Sequence, residues 1–281
     1  MQRILLVGLA SLASLAASPA NSQLRADAGF GAMGLEGCRT DLRYLNRMFG
    51  WQVNWAPEWR ALGQASDAEL EDGIKASVAA GFYRPPQGGK SAAYVINLSR
   101  PQDRRLMAEV IAFHETLPGH HVGAGLGLPA GTFNSGFLEG WGIYSEYLAD
   151  EMGLYGSSFD RTGMMAKHLW AASRLVIEPG LHLHGWTRQQ AIDFMRLHTA
   201  LAVPKIELEI DRYISTPGQS LSYMLGYDRI ADARAYAKKQ LGSRFDVRDF
   251  HDVVLGKGVR PLDEMRADVV RRADSKATAK I

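Results

Sequence analysis

Apolar positions beyond residue 98 recur every three to four residues, which is the spacing of one face of an amphipathic helix. Capping residues, glycines and prolines divide this region into successive predicted helices. Their expected ranges are 99–117, 137–152, 161–177, 187–202, 204–213, 220–240, 246–255 and 261–273. Pro179 is expected to stop the third of them, because proline disrupts a helix interior.

The first 98 residues carry weaker structural signals. Ser66 and Glu69 form a capping-box pattern that predicts a helix over 66–80, and a shorter helix is expected over 40–48. Helix breakers over 83–90 predict a loop, and the β-prone run over 93–98 predicts a strand. The chain has no βαβ alternation and no internal repeat. The predicted fold class is therefore mainly α, with at most one or two short strands.

Composition and charge narrow the class of protein. Hydrophobic residues make up 46% of the 281 positions and charged residues 22%, a balance typical of a soluble folded protein. The net charge of +2 gives no reason to expect a nucleic-acid partner. Cys38 is the single cysteine, so an intramolecular disulfide and a Cys-rich zinc site are both excluded.

The N-terminus has the pattern of a secretory signal peptide. Arg3 precedes an apolar run over 4–17, and small residues follow over 18–22. The run is short and contains serines, so no stable membrane span is expected. We therefore expect a periplasmic or secreted protein. Its predicted organisation is a signal peptide at 1–22, a poorly assigned segment at 23–80, a helical catalytic-type domain at 81–273 and a charged tail at 274–281.

A candidate metal site begins at His114 and Glu115, near the end of a predicted helix. Neutral imidazole is a zinc ligand, and an adjacent glutamate can act as general base toward water. The second histidine of such motifs usually follows four residues after the first, but Pro118 occupies that position. On a regular helix His121 would return to the same face, about 340° around. If Pro118 and Gly119 are instead an insertion, the second ligand is His120.

A third ligand is expected on the next helix. Glu139 and Glu146 are seven residues apart and therefore share a helix face. Gly140 and Gly142 would allow another helix or a metal to approach closely. Zinc peptidases also need a donor for the oxyanion of the tetrahedral intermediate. The candidate donors are His182, Arg212, Gln219 and Tyr223.

The motif His114-Glu115-x-x-Pro118-Gly119-His120-His121, followed by Glu139-Gly140-Trp141-x-x-Tyr144-x-Glu146, resembles the DUF885 family of bacterial proteins. Members are peptidase-like and belong to the wider glutamate-zincin group. The resemblance extends in order over roughly residues 80 to 270. Family members usually carry a long helical half before this region. The resemblance therefore implies a C-terminal half, for which a partner chain could supply the rest.

The segment around Glu139 is also similar to one in M1 aminopeptidases, whose glutamate is the third zinc ligand, 19 residues after the second histidine. This similarity implies that His114, His120 and Glu139 hold Zn²⁺, with Glu115 as general base. His121, Glu146 and Arg212 would then contact substrate or support the ligands.

The leading hypothesis is a helical, zinc-dependent, peptidase-like hydrolase that cleaves peptides. The alternatives are a truncated, non-catalytic family member and a structural helical periplasmic protein whose histidines and glutamates form a buried polar network. The other histidines, His168, His184, His198 and His251, are expected to be structural or solvated.

Overall fold

The computed structural model describes residues 62–66, 81–85, 92–96, 105–125 and 133–279. The predicted signal peptide, the helix predicted at 40–48 and Cys38 lie outside these ranges. The mainly α fold class is confirmed. None of the described helices combines the length and the hydropathy that crossing a membrane requires.

A small sheet precedes the helices. Its strands are β1 (Leu62–Ser66), β2 (Gly81–Arg84) and β3 (Ala92–Ile96). β3 lies in the centre, parallel to β1 and antiparallel to β2. The sheet has one strand more than the upper limit that the sequence suggested. Only β3, whose residues 92–95 are buried, has an apolar run long enough to be recognised.

One predicted element near this sheet is wrong, and another lies mostly outside the described residues. Ser66, the N-cap of the helix predicted over 66–80, ends β1, and that helix stays a prediction because residues 67–80 lie outside the described ranges. Tyr83 belongs to β2 rather than to a loop, and it pairs with Tyr94 of β3. Both flanking strands have five residues or fewer, too short to show an alternating pattern.

The helical region begins with a 3₁₀ turn over Arg105–Met107. The helices that follow are α1 (Ala108–Glu115), α2 (His120–Gly125), α3 (Ser135–Glu151), α4 (Ser158–Leu183), α5 (Arg188–His198), α6 (Val203–Ser215), α7 (Ser222–Leu241), α8 (Val247–Leu255) and α9 (Leu262–Thr278). Short 3₁₀ turns over Gln219–Leu221 and Gly242–Arg244 flank α7.

Several helix boundaries follow the capping signals in the sequence. Gly153 has a φ of 69° just after α3, the left-handed conformation expected of a glycine that ends a helix. Thr187 and Gln190 form a capping box at the start of α5. Asp246 caps α8 by accepting from the backbone N–H of Arg248.

Two helices extend further than predicted. α4 continues through Pro179 to Leu183, and Gly180 lets the Trp186 ring pack against it, since a Cβ there would lie 2.5 Å from that ring. α9 continues to Thr278, where Arg244 donates to the carbonyls of residues 276 and 277. These interactions come from residues distant from the local pattern, so periodicity could not reveal them.

α3 lies at the centre of the fold and packs against α7 at very short range. A Cβ on Gly140 would lie 2.4 Å from the carbonyl carbon of Gly226, so the two helix backbones are in direct contact. Phe137, Trp141 and Leu148 of α3 are fully buried in the main core. The helix that carries both candidate carboxylates is therefore held firmly.

Candidate metal centre

The turn between α1 and α2 brings the first two histidines together. α1 ends at Glu115, a turn with a cis Leu117–Pro118 peptide follows, and α2 begins at His120. The Trp141 indole donates to the carbonyl of Pro118 at 2.9 Å and fixes the turn. The rings of His114 and His120 are consequently edge to face, with centroids 4.5 Å apart. Pro118 and Gly119 thus interrupt the helix, as the insertion alternative supposed.

His114 lies between the two carboxylates of α3. Its Nε2 is 3.2 Å from Glu139 Oε2, and its Nδ1 is 2.6 Å from Glu146 Oε1. The seven-residue spacing therefore places both glutamates against one imidazole, on opposite sides of it. Gly142 makes room for the ring, because a Cβ there would lie 2.3 Å from His114 Cε1.

His120 and Glu115 complete the cluster. His120 Nε2 lies 3.5 Å from Glu139 Oε2 and 4.0 Å from Glu115 Oε2. The backbone N–H of Tyr83 donates to the same Glu115 oxygen at 2.9 Å. Potential ligand atoms of His114, Glu115 and His120 all lie within 4.8 Å of one another.

His121 faces a different part of the structure. It is fully buried, and its Nδ1 lies 3.2 Å from the hydroxyl of Tyr83 on β2. Of the two histidines after Pro118, the geometry therefore favours His120 as the partner of His114 and Glu139.

Two residues that sequence reasoning missed surround Glu146. Lys167 of α4 donates to Glu146 Oε1, and His168 Nε2 lies 2.8 Å from Oε2. Both are buried, and His168 had been expected to be structural or solvated. A signal did exist, since Lys167, Arg174 and Glu178 follow one face of α4 and are all buried. Such a polar stripe on a buried face requires partners.

The charges in this cluster depend on one another. Burial and Lys167 favour a neutral imidazole, but the carboxylates of Glu139 and Glu146 outweigh them and raise the pKa of His114 to about 9. Burial opposes ionisation of both glutamates as well. His114 and His120 nevertheless hold the pKa of Glu139 well below its usual range. Lys167, with the two neighbouring histidines, does the same to the pKa of Glu146. A metal at His114 Nε2 would therefore have to replace a proton.

Three of the four candidate oxyanion donors lie beside the cluster. Gln219 Nε2 is 3.5 Å from Glu139 Oε1, and Arg212 Nη1 donates to Gln219 Oε1 at 2.6 Å. The ring of Tyr223 stacks with that of His114 at 6.0 Å. Burial, followed by the charge of Glu139, raises the pKa of Tyr223, so its hydroxyl keeps a proton to donate.

His182, the fourth candidate donor, belongs to another group of residues. Its Nε2 lies 3.0 Å from the carbonyl of Tyr213 and 3.5 Å from Glu178 Oε2. Glu178 in turn accepts from the backbone N–H of Gly218 and from the Ser220 hydroxyl. His182 and Glu178 thus support the turn that carries Gln219, and among the described residues these contacts do not connect His182 with His114. These contacts favour Gln219 and Tyr223 over His182 as the donor, and the role predicted for His182 stays a prediction.

The donor set fits zinc. Ligand bonds of 2.0–2.2 Å in a tetrahedral arrangement put neighbouring ligand atoms roughly 3.4 Å apart. Glu139 Oε2 lies 3.2 and 3.5 Å from the Nε2 atoms of His114 and His120. Two imidazoles and one carboxylate are also the ligand types of open zinc sites, which keep a fourth position for water.

Fold and cluster together define a mainly helical protein with a buried histidine–glutamate centre. The chain belongs to the DUF885 family, described as bacterial proteins of unknown function, whose sequence model matches residues 63–269. The predicted family membership is thereby confirmed.

Two solved structures are similar to this chain. One, the "putative lipoprotein from Colwellia psychrerythraea", shares 31% identity with a TM-score of 0.77, over 86% of this chain and 42% of that one. The other, a "putative lipoprotein of unknown function from Shewanella oneidensis", shares 18% identity with a TM-score of 0.66, over 94% of this chain and 52% of that one, and supports the fold alone. The chain thus spans about half the length of these relatives. No curated protein matches it.

Proposed function

We propose that this protein is a zinc-dependent, peptidase-like hydrolase. The observation that carries the proposal is the triangle formed by His114 Nε2, His120 Nε2 and Glu139 Oε2. Glu139 Oε2 lies 3.2 Å from His114 Nε2 and 3.5 Å from His120 Nε2, and these two distances suit a tetrahedral zinc ion. These three atoms would hold the metal. Zinc bound there would act as a Lewis acid and would lower the pKa of a water in the fourth position.

Glu115 is the proposed general base. Its Oε2 lies beside His120 and accepts from the backbone N–H of Tyr83, which fixes the carboxylate at the edge of the ligand triangle. From this position it can take a proton from the attacking water and return it to the leaving amine. Its neighbour in sequence, His114, contacts Glu139 of α3, and potential ligand atoms of Glu115 and His114 lie within 4.8 Å of each other.

Glu146 supports the metal ligand His114. A carboxylate that accepts from Nδ1–H leaves the Nε2 lone pair available to a metal and fixes the ring orientation. The 2.6 Å contact between Glu146 Oε1 and His114 Nδ1 suits this role. Lys167 and His168 compensate the buried charge of Glu146, so it remains an acceptor.

Gln219 and Tyr223 are the proposed donors to the oxyanion. Arg212 donates a hydrogen bond to the side-chain carbonyl oxygen of Gln219, and this directs the amide Nε2 of Gln219 toward the cluster. Burial and the charge of Glu139 raise the pKa of Tyr223, which keeps its hydroxyl protonated, and its ring stacks with that of His114. This arrangement supports attack on the carbonyl of an amide, and hence a peptide substrate.

We also propose a location in the cell envelope or outside the cell. The description of the 31% identical Colwellia psychrerythraea relative as a putative lipoprotein and the signal-peptide pattern over 1–22 support it. N-terminal sequencing of the protein from an envelope fraction should begin at Asn21 or Gln23. An intact N-terminus in the cytosolic fraction would contradict export.

Hydrolysis of a diverse peptide library by the zinc-loaded protein tests the activity, with Glu115→Gln as the decisive variant. Glutamine keeps an acceptor for the Tyr83 N–H but cannot take up a proton, so zinc should bind normally while hydrolysis falls by about 100-fold or more. Glu109→Gln on the same helix is the matched control. Its carboxylate accepts from the backbone of Gly156, outside the cluster, and activity should not change.

Each alternative gives a different result. A protein that acquires no zinc on titration has a structural polar network in place of a metal centre. A protein that binds zinc but cleaves no peptide, with Glu115→Gln identical to the wild type, is a non-catalytic family member.

A further inference from the structure

A second charged group adjoins Gln219 and Tyr223. Arg174, Lys205 and Arg212 all converge on the carboxylate of Glu209. Lys205 Nζ is 2.8 Å from Glu209 Oε1, and Arg212 Nη2 is 2.7 Å from Oε2. The Arg174 guanidinium lies 3.5 Å from Glu209 Oε2 and also donates to the Tyr213 hydroxyl.

This group carries more positive than negative charge. Three cations share Glu209, which is the carboxylate that hydrogen-bonds to them within the described part of the chain. Two positive charges are therefore left without an acidic counterpart in the group. Arg174 and Glu209 are buried, whereas the side chains of Lys205 and Arg212 are 31% and 34% exposed. The surplus charge thus faces a surface that a ligand can reach.

The charged group is connected to the proposed ligand triangle. Arg212 Nη1 bonds Gln219 Oε1 at 2.6 Å, and Gln219 Nε2 lies 3.5 Å from Glu139 Oε1. The guanidinium of Arg174 also stacks over the ring of Tyr223 at 4.2 Å. Arg212 is therefore one side chain removed from a proposed zinc ligand.

We propose that Arg212 and Lys205 form a subsite for the free α-carboxylate of a peptide substrate, so that the enzyme removes residues from the C-terminus. The inference rests on the proposed function, because it takes the scissile carbonyl to lie at the His114–His120–Glu139 triangle. Glu209 already accepts from Arg212 Nε and Nη2, and Gln219 accepts from Nη1. The substrate carboxylate would therefore meet the remaining N–H groups of Arg212 and the Lys205 ammonium, through charge-assisted hydrogen bonds.

The separation of the two groups suits a single residue beyond the scissile bond. Consecutive Cα atoms are about 3.8 Å apart, so a carboxylate one residue beyond the scissile bond lies at about that distance from the reacting carbonyl. A metal–oxygen contact of about 2 Å and a hydrogen bond of about 2.9 Å extend the span from metal to guanidinium to roughly 8–9 Å. The Gln219 amide and its two hydrogen bonds of 2.6 and 3.5 Å separate Arg212 from Glu139 by a length of that order. Gln219 would then line the pocket between the scissile carbonyl and the terminal carboxylate.

Binding measurements test this subsite without relying on turnover. Zinc-loaded Glu115→Gln protein is titrated calorimetrically with an N-acetylated peptide, first as the free acid and then as the C-terminal amide. A charge-assisted contact should make the free acid bind about 10-fold tighter or more. Adding Arg212→Met or Lys205→Met should reduce that ratio. Arg188→Met removes the same charge from an exposed pair with Asp211 and should leave the ratio unchanged.

The ratio of the two affinities is the readout, since a general loss of folding weakens both peptides together. Equal affinities for acid and amide would overturn the subsite, as would failure of the free acid to bind at millimolar concentration. A preference for the acid that survives Arg212→Met and Lys205→Met would also overturn it. The proposed function fails separately, if the wild-type protein binds the free acid but does not hydrolyse it.

Discussion

The His114 ring packs directly on Gly142, so adding one methyl group there, as in Gly142→Ala, tests whether His114 is a metal ligand. In Gly142→Ala the new Cβ would lie 2.3 Å from His114 Cε1 and 2.7 Å from Nε2. Carbon atoms in contact are normally about 3.5–4.0 Å apart, so the ring must move by roughly 1 Å or more. The imidazole is buried between Glu139 and Glu146 and has no free space in that direction.

The two consequences of this change differ in size. Zinc ligands tolerate displacements of about 0.2 Å, so a ring moved by about 1 Å no longer meets the other two ligands. We expect zinc affinity to fall by about 100-fold or more, beyond the effect of a changed supporting residue. The metal-free fold should change less. Overpacking costs about 1–3 kcal/mol, and alanine recovers about 1 kcal/mol over glycine inside a helix.

Competition titration of zinc against a chromophoric chelator measures the first effect, and urea unfolding of the metal-free protein measures the second. Gly136→Ala is the matched control on the same helix. Its Cβ would lie 3.0 Å from the end of the flexible Leu262 side chain and 3.4 Å from Asn134 Oδ1, and it would contact none of the proposed ligands. Zinc affinity should therefore remain at the wild-type value. If Gly142→Ala also bound zinc like the wild type, His114 would not be a ligand in the geometry described.

Two further predictions concern buried carboxylates. Glu146→Gln leaves the ammonium of Lys167 buried without its counter-charge, so the free energy of unfolding should fall by about 3–5 kcal/mol in urea; a loss under about 1 kcal/mol would exclude that pairing. At Glu209 burial opposes ionisation, but three cations hold the pKa at about 2, against about 4.3 in the unfolded chain. Its stabilisation, about 3 kcal/mol, is present above pH 4.3 and is lost as the pH falls toward 2. Glu209→Gln should flatten this part of the acid-unfolding curve, and unchanged curves would refute the linkage.

Local sequence patterns predicted the elements that depend on local interactions. α3 has its glycine stop at Gly153, and its heptad spacing correctly placed Glu139 and Glu146 on one face. Pro118 and Gly119 correctly indicated that the helix carrying His114 is interrupted. The pattern could not decide between His120 and His121, because that depends on where the turn meets Trp141 and Tyr83.

Residues that act through long-range contacts escaped prediction. Lys167 and His168 of α4 contact Glu146 of α3, the preceding helix, from which a turn separates them in the chain. Tyr83, placed in a loop by its neighbouring prolines, lies in an edge strand and contacts both Glu115 and His121. Pro179 signalled a helix end, yet α4 continues past it to Leu183, and the Trp186 ring packs on Gly180 there. In each case tertiary packing outweighed the local signal.

The central claim is that His114, His120 and Glu139 bind one zinc ion. An anomalous-difference map at the zinc edge, from crystals of the protein grown with zinc, tests it most directly. We predict a single strong peak within about 2.0–2.2 Å of His114 Nε2, His120 Nε2 and Glu139 Oε2. A map without a peak at this cluster, or with a peak ligated by His121 in place of His120, would contradict the account.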